Sequence, residues 1–149
     1  MVNRLVIYTD GGARGNPGSA AVGIVIKTEN GEVLQEIFRT IGVSTNNVAE
    51  YTAVVAALEW LRDEQRTENK EQRTIQFYLD SVLVVNQLNG KFKVKDSQLR
   101  ELLLKIRMLE QEVGGEIYYA SIPREKNWQA DALVNRALDG EQNVKKKTY

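Results

Sequence analysis

LVIYTDGGARGNPG, residues 5–18, is an apolar run that ends in a carboxylate and then breaks into glycines. Leu5 to Tyr8 has the branched and aromatic content of a strand. Asp10 is expected where that strand stops, with Gly11 and Gly12 behind it to let another backbone or a ligand come close. An isolated Asp-Gly-Gly is more often a plain turn between two strands. Three further acids argue for more than a turn: Glu50, Asp80 and Asp131 each fall at the end of a strand or on a helix facing a sheet.

Outward from this stretch, residues 20–28 (AAVGIVIKT) read as a second strand and 33–41 as a third, joined by a hairpin turn at Glu29-Asn30-Gly31-Glu32. Strands joined this closely are antiparallel. The period then changes: Val48, Tyr51, Val55, Leu58 and Leu61 recur at helical spacing, with Thr45 or Asn46 as the N-cap. Residues 62–73, RDEQRTENKEQR, carry no apolar side chain and read as a solvated helix end or loop. Residues 74–79 form a fourth strand ending at Asp80, followed by a short helix over 81–88 that Asn89-Gly90 stops. Asp96 or Ser97 caps the next helix, whose buried stripe is Leu99, Leu102, Leu103, Ile106 and Leu109. A fifth strand over 116–122, a loop over 123–127 and a last helix over 128–138 complete an α/β domain, a mixed sheet with helices on its faces. The domain is expected to span 1–139, and 140–149 a loose, lysine-containing tail.

The chain has 149 residues, 20 Lys plus Arg against 20 Asp plus Glu, and neither Cys nor His. That excludes disulfides, thiol nucleophiles, the usual zinc sites and any imidazole base. Metal ligands must be oxygens, which points to magnesium, manganese or calcium. The balanced charge gives no long-range steering towards a polyanion, so such a site must be local; the candidates are Lys91, Lys93 and Lys95 in GKFKVK and Lys145–Lys147 in the tail. No run is long and apolar enough for a membrane span, and the first ten residues do not read as a signal peptide, so a soluble, cytoplasmic protein is expected.

The four acids read best together. The first and fourth strands, connected through a helix, can run parallel side by side and bring Asp10 and Asp80 to one edge. Glu50 lies early in its helix on the side that meets the sheet, where a carboxylate is costly unless a cation or donor waits for it. Asp131 sits between Ala130 and Ala132, which leave room beside it. Like charges this close need a counter-charge, and two divalent cations supply one. Hard cations on carboxylates suit in-line hydrolysis of a phosphodiester, one ion activating water and the other stabilising the leaving oxygen.

Four blocks, YTDGGARGNPG, STNNVAEY, LDSVLVVNQLNG and IPREKNWQADAL, stand in an order and context that resemble the ribonuclease H type 1 family. The resemblance runs from Leu5 to about Leu138. It implies a five-stranded mixed sheet, its first three strands antiparallel, flanked by helices. It also implies endonucleolytic hydrolysis of the RNA strand of RNA/DNA hybrids, leaving 5'-phosphate and 3'-hydroxyl ends. By that resemblance Asp10, Glu50, Asp80 and Asp131 would hold two magnesium or manganese ions, with Asp10 between them. Asn16, Asn46 and Asn47 would lie along the RNA strand and reach 2'-hydroxyls, Thr45 would hold a phosphate of the DNA strand, and Gly11 and Arg124 would also bind substrate. The chain is expected to act as a monomer with no obligate protein partner.

Three departures qualify the resemblance. Many members carry a His in the loop before the last acid; here that loop is PREKN, where Arg124 or Lys126 would supply charge without being a proton acceptor near neutral pH. The basic, Trp-containing protrusion of better-known bacterial members is missing, so hybrid binding would lean on Lys91, Lys93, Lys95 and stacking by Phe92. Val82 and Trp128 stand where Gln and Glu are expected. The short loop and missing protrusion are most similar to the compact subgroup of archaea and some bacteria. Two rival readings remain: a catalytically idle hybrid-binding module, and a nuclease of the same fold acting on double-stranded RNA or branched DNA.

Overall fold

The computed structural model describes residues 3–140, so the lysines at 145–147 lie outside the described residues. Five strands, β1 (Arg4–Gly15), β2 (Gly18–Thr28), β3 (Val33–Ser44), β4 (Thr74–Leu79) and β5 (Glu116–Ser121), form one sheet in the order β3-β2-β1-β4-β5. β1, β2 and β3 pair antiparallel, whereas β4 joins β1, and β5 joins β4, in parallel. The helices are α1 (Asn46–Asp63), α2 (Val82–Leu88), α3 (Ser97–Val113) and α4 (Trp128–Leu138). Alternation along the strands sorts the core. Leu5 and Ile7 of β1 and Ile75, Phe77 and Leu79 of β4 pack with Tyr51, Val54, Leu58 and Leu61 of α1, backed by Ile106 and Leu109 of α3. On the opposite face a smaller cluster joins Leu133, Val134 and Ala137 of α4 to Ala21, Val25 and Phe38. No helix among the described residues is long and apolar enough to cross a membrane.

Thr45 and Asp96 cap their helices as the sequence predicts, whereas Ser81, read as the first residue of its helix, is the cap in front of it. Thr45 Oγ1 accepts from Val48 N, Ser81 Oγ from Val84 N and Asp96 Oδ1 from Leu99 N, each meeting a backbone donor left over in the first turn.

Two sequence expectations need correction. β1 does not stop at Asp10; it stays paired with β2 as far as Gly15–Gly18, so Gly11 and Gly12 are strand residues and no turn. What stops near Asp10 is the pairing with β4, whose last register pair is Tyr8–Tyr78. β3 likewise runs on to Ser44. The second correction concerns the charged stretch 62–73, which is not wholly solvated: Arg73 is fully buried. Its guanidinium donates to Leu61 O at 3.0 Å and to Thr67 Oγ1 at 3.3 Å and pairs with the nearly buried Glu64. Lys70 Nζ adds bonds to Leu61 O and Arg62 O at 3.2 and 2.9 Å. Two cations therefore cover the carbonyls at the C-terminal end of α1, where the helix dipole favours positive charge.

Candidate active site

The site forms where β1 and β4 part. Asp10 projects from β1, Asp80 follows the last residue of β4, and Glu50 reaches down from the second turn of α1. One carboxylate oxygen from each lies within 4.8 Å of the other two. Two glycines permit this convergence. A Cβ on Gly11 would stand 2.2 Å from the carbonyl carbon and oxygen of Ala49, so only Gly lets α1 lie this close to β1. The same approach lets Gly11 N–H donate to Glu50 Oε1 at 3.1 Å. Gly23, the β2 partner of Asp10, does the same for α4: a Cβ there would meet Ala130 O at 2.3 Å. That brings the first turn of α4, and Asp131 with it, over the sheet.

Burial pushes Asp10 up to about 8, and the charges of Asp80 and Asp131 and a hydrogen bond with Asp131 add to the rise against the opposing Gly11 N–H. Glu50 is raised well above the usual carboxylate range, first by burial and then by Asp10 and Asp80, with Gly11 N–H and the Arg124 charge pulling the other way. No Lys or Arg among the described residues forms an ion pair with Asp10, Glu50 or Asp80. Three acids that converge with no ion-paired Lys or Arg among the described residues call for a further positive charge, and an all-oxygen donor set of this kind fits a hard divalent cation.

The other expected site residues divide into groups. Asp131 lines the same cleft, of about 470 Å³, and touches Asp10, but stands outside the three-oxygen cluster. Asn46, Asn47 and Arg124 also line that cleft. Asn46 Oδ1 accepts from Ala13 N at 2.8 Å and Asn16 Oδ1 from Asn46 N at 2.9 Å, so both carbonyl ends lock the glycine-rich end of β1 onto α1. Their amide hydrogens remain for a ligand. Thr45 and Asn16 line an adjoining cleft, of about 460 Å³, together with Asp96 and Gln98. Phe92, Lys93 and Lys95 are exposed on the connection between α2 and α3 and line neither cleft.

Three residues were not anticipated. Arg14 Nη1 donates to Asp139 Oδ1 at 2.8 Å and its Nη2 to Asn135 Oδ1 at 3.4 Å, while Asn135 Nδ2 donates to Asp131 O at 3.2 Å. Gly23 had a legible signal, since a glycine inside a strand pattern marks close backbone approach. Asn127, buried beside Asp80, had none, because a loop asparagine is ordinarily solvated.

The comparisons agree with this geometry. A profile described as reverse transcriptase-like matches residues 8–137. A ribonuclease H of Clostridium botulinum is 37% identical over 158 aligned residues, covering 93% of this chain and 97% of that one. The structure of LC11-RNase H1, isolated from compost, superimposes with a TM-score of 0.86 at 45% identity over 92% of this chain and 96% of that one. The chain belongs to the type 1 ribonuclease H family. The LC11 enzyme has also been solved in complex with an RNA/DNA hybrid, and that structure matches with a TM-score of 0.83 at 43% identity, covering 91% of this chain and 96% of that one. A bifunctional protein of Mycobacterium tuberculosis is 39% identical over 137 residues; the chain is covered to 91% but spans only 36% of that relative's length. Of the four acids that a type 1 ribonuclease H resemblance picks out, three converge here and the fourth flanks them.

Proposed function

We propose that this chain is a metal-dependent endoribonuclease that hydrolyses the RNA strand of an RNA/DNA hybrid, leaving 5'-phosphate and 3'-hydroxyl ends. The observation that carries the reading is the convergence of Asp10, Glu50 and Asp80, none of them ion-paired to a Lys or Arg among the described residues, in a cleft shared with Asp131 and Arg124. Support comes from the related LC11 enzyme, solved on such a hybrid.

Asp10, Glu50 and Asp80, with Asp131 beside them, would hold two magnesium or manganese ions. Bound there, the ions supply a Lewis acid for the phosphate and a lowered pKa for an attacking water. The chain's own residues do the rest. Gly11 N–H fixes the Glu50 carboxylate, and the amide hydrogens of Asn16, Asn46 and Asn47 meet 2'-hydroxyl acceptors on the RNA strand. Thr45 keeps a hydroxyl proton to donate to a DNA phosphate, because its oxygen serves the helix cap as acceptor only. Arg124 offers a fixed positive charge at the cleft, able to hold a phosphate but not to take a proton.

Phe92, Lys93 and Lys95 form a separate outlying contact to the backbone. Changing Lys93 and Lys95 together to Ala is expected to weaken hybrid binding and to lower the slope of log K against log salt by roughly 1.5, at about 0.7 to 0.9 for each phosphate no longer neutralised. Binding titrations at several salt concentrations measure it, and an unchanged slope removes this segment from the interface.

An end-labelled hybrid incubated with magnesium or manganese tests the main reading, beside EDTA controls, RNA and DNA duplexes and branched DNA. Cleavage confined to the RNA strand of the hybrid, and abolished by EDTA, is expected. Hybrid bound but left intact in either metal instead supports an idle binding module, and cleavage of duplex RNA or branched DNA with the hybrid spared reassigns the substrate.

A further inference from the structure

Asn127 closes the short 3-10 turn Arg124–Asn127 and is 1% exposed, so its polar groups must be answered from within the protein. Its Nδ2 donates to Thr9 O at 2.9 Å and to Asp80 Oδ2 at 2.9 Å. Both partners are acceptors, which fixes the amide orientation on chemical grounds. The pairing of β1 with β4 ends at Tyr8–Tyr78, while β4 and β5 stay paired through Leu79–Ser121. The two hydrogens of one amide group therefore span the opening between β1 and β4. One end ties to the strand that carries Asp10, the other to Asp80 itself. Asn127 Oδ1 is buried with no protein partner among the described residues, a cost the side chain bears at one end while it serves two acceptors at the other.

We infer that Asn127 is the positioning residue that holds the Asp80 carboxylate in the acid cluster, and that through it the turn bearing Arg124 is tied to that cluster. The inference rests on the reading of Asp80 as a metal ligand. A carboxylate just beyond a strand end would be free to rotate, and repulsion from Asp10 and Glu50 would favour its turning outward when no cation is bound. A charge-assisted bond from a buried amide to Asp80 Oδ2 opposes that rotation. Partners behind a metal ligand commonly carry about 10- to 100-fold of the metal affinity. The same tether makes the 3-10 turn and Asp80 move together, so a phosphate drawn to Arg124 and a cation drawn to Asp80 are held at a set separation.

The test compares wild type with Asn127→Ala and with Asn127→Leu, whose side chain keeps the branching and heavy-atom count of Asn, though it is bulkier, and adds no unpaired polar atom. Three quantities are read: the manganese concentration that gives half of the metal-induced rise in melting temperature, hybrid affinity in EDTA, and kcat and KM against manganese. Expected for the variants are a half-saturating concentration raised about 10- to 100-fold, hybrid affinity in EDTA within about twofold of wild type, and a loss in kcat that high manganese largely restores. A purely structural role lowers the melting temperature without moving the metal half-saturation; that result in either folded variant overturns the assignment. A wild-type protein that neither responds to manganese nor cleaves hybrid sinks the nuclease reading itself. Wild-type metal-dependent cleavage with unshifted variants sinks only the role of Asn127.

Discussion

Asp80→Asn is expected to cut hybrid cleavage by roughly a thousandfold or more, the scale on which active sites lose rate when a group that meets transition-state charge is removed, while hybrid binding in EDTA stays within about twofold. Asparagine keeps the size of the side chain and a carbonyl oxygen that can still accept from Asn127 Nδ2, so the cleft and the tether survive. What disappears is one unit of negative charge and one hard oxygen donor from a cluster whose three oxygens lie within 4.8 Å. Binding along the RNA strand would draw on Asn16, Asn46 and Asn47 and on the outlying lysines, none of which touches Asp80. Parallel cleavage and binding measurements separate the two effects. Cleavage at the wild-type rate by this variant would remove Asp80 from the proposed ligand set, and loss of binding together with cleavage would mean that the change had damaged the groove.

Much of this site was legible in the sequence, and the parts that were not share a physical cause. The four acids were readable because each lies on a strand, just past one or in the first turns of a helix, in a pattern that sidedness makes plain: Asp80 follows the alternation of residues 74–79, and Glu50 falls on the face of α1 that Tyr51 and Val54 share. The glycines were readable as glycines but not in their purpose. Gly11 and Gly12 looked like the end of a strand, yet β1 runs through them, because Gly11 serves close approach by the backbone of α1. Composition alone does not separate those two uses, since a turn and a close helix crossing both require a missing Cβ. Arg73 was hidden for a related reason. Eleven polar neighbours advertise solvent, and only the fold shows that the last of the stretch turns inward to cap α1 beside Glu64. Asn127 belongs to the same class, since its burial depends on where β1 and β4 separate, which is a tertiary fact. Asp131 shows the opposite limit: motif reading ranked it with the other three acids, whereas the geometry sets it at the flank of the cluster.

Asp10→Asn is expected to make the metal-free protein more stable even as it removes the acid at the centre of the proposed site. Asp10 in the folded protein is raised to about 8, by burial first and then by the charges of Asp80 and Asp131. In the unfolded chain an aspartate titrates near 3.9. Between those values the folded state holds a proton that the unfolded state has lost, so stability falls as pH rises from about 4 to about 8 and is lowest above that window. Asparagine carries no charge at any pH and escapes this penalty. In EDTA at pH 8 the variant should exceed wild type by on the order of 2–4 kcal/mol, or roughly 5–15 °C in melting temperature for a domain of this size. The gap should close towards pH 4, and it should also narrow when manganese is added, because the cation offsets in wild type the repulsion that the variant lacks. Thermal melts of both proteins across pH, with and without manganese, measure all of this. A wild type whose melting temperature holds constant from pH 5 to 8 in EDTA, matched by the variant, would show that the carboxylates are relaxed without metal and that the cluster stores no electrostatic strain. The expected outcome instead means that the fold, through Gly11 and Gly23, holds Asp10 where only a cation makes its charge tolerable, so that metal affinity and metal-free stability are drawn from the same repulsion.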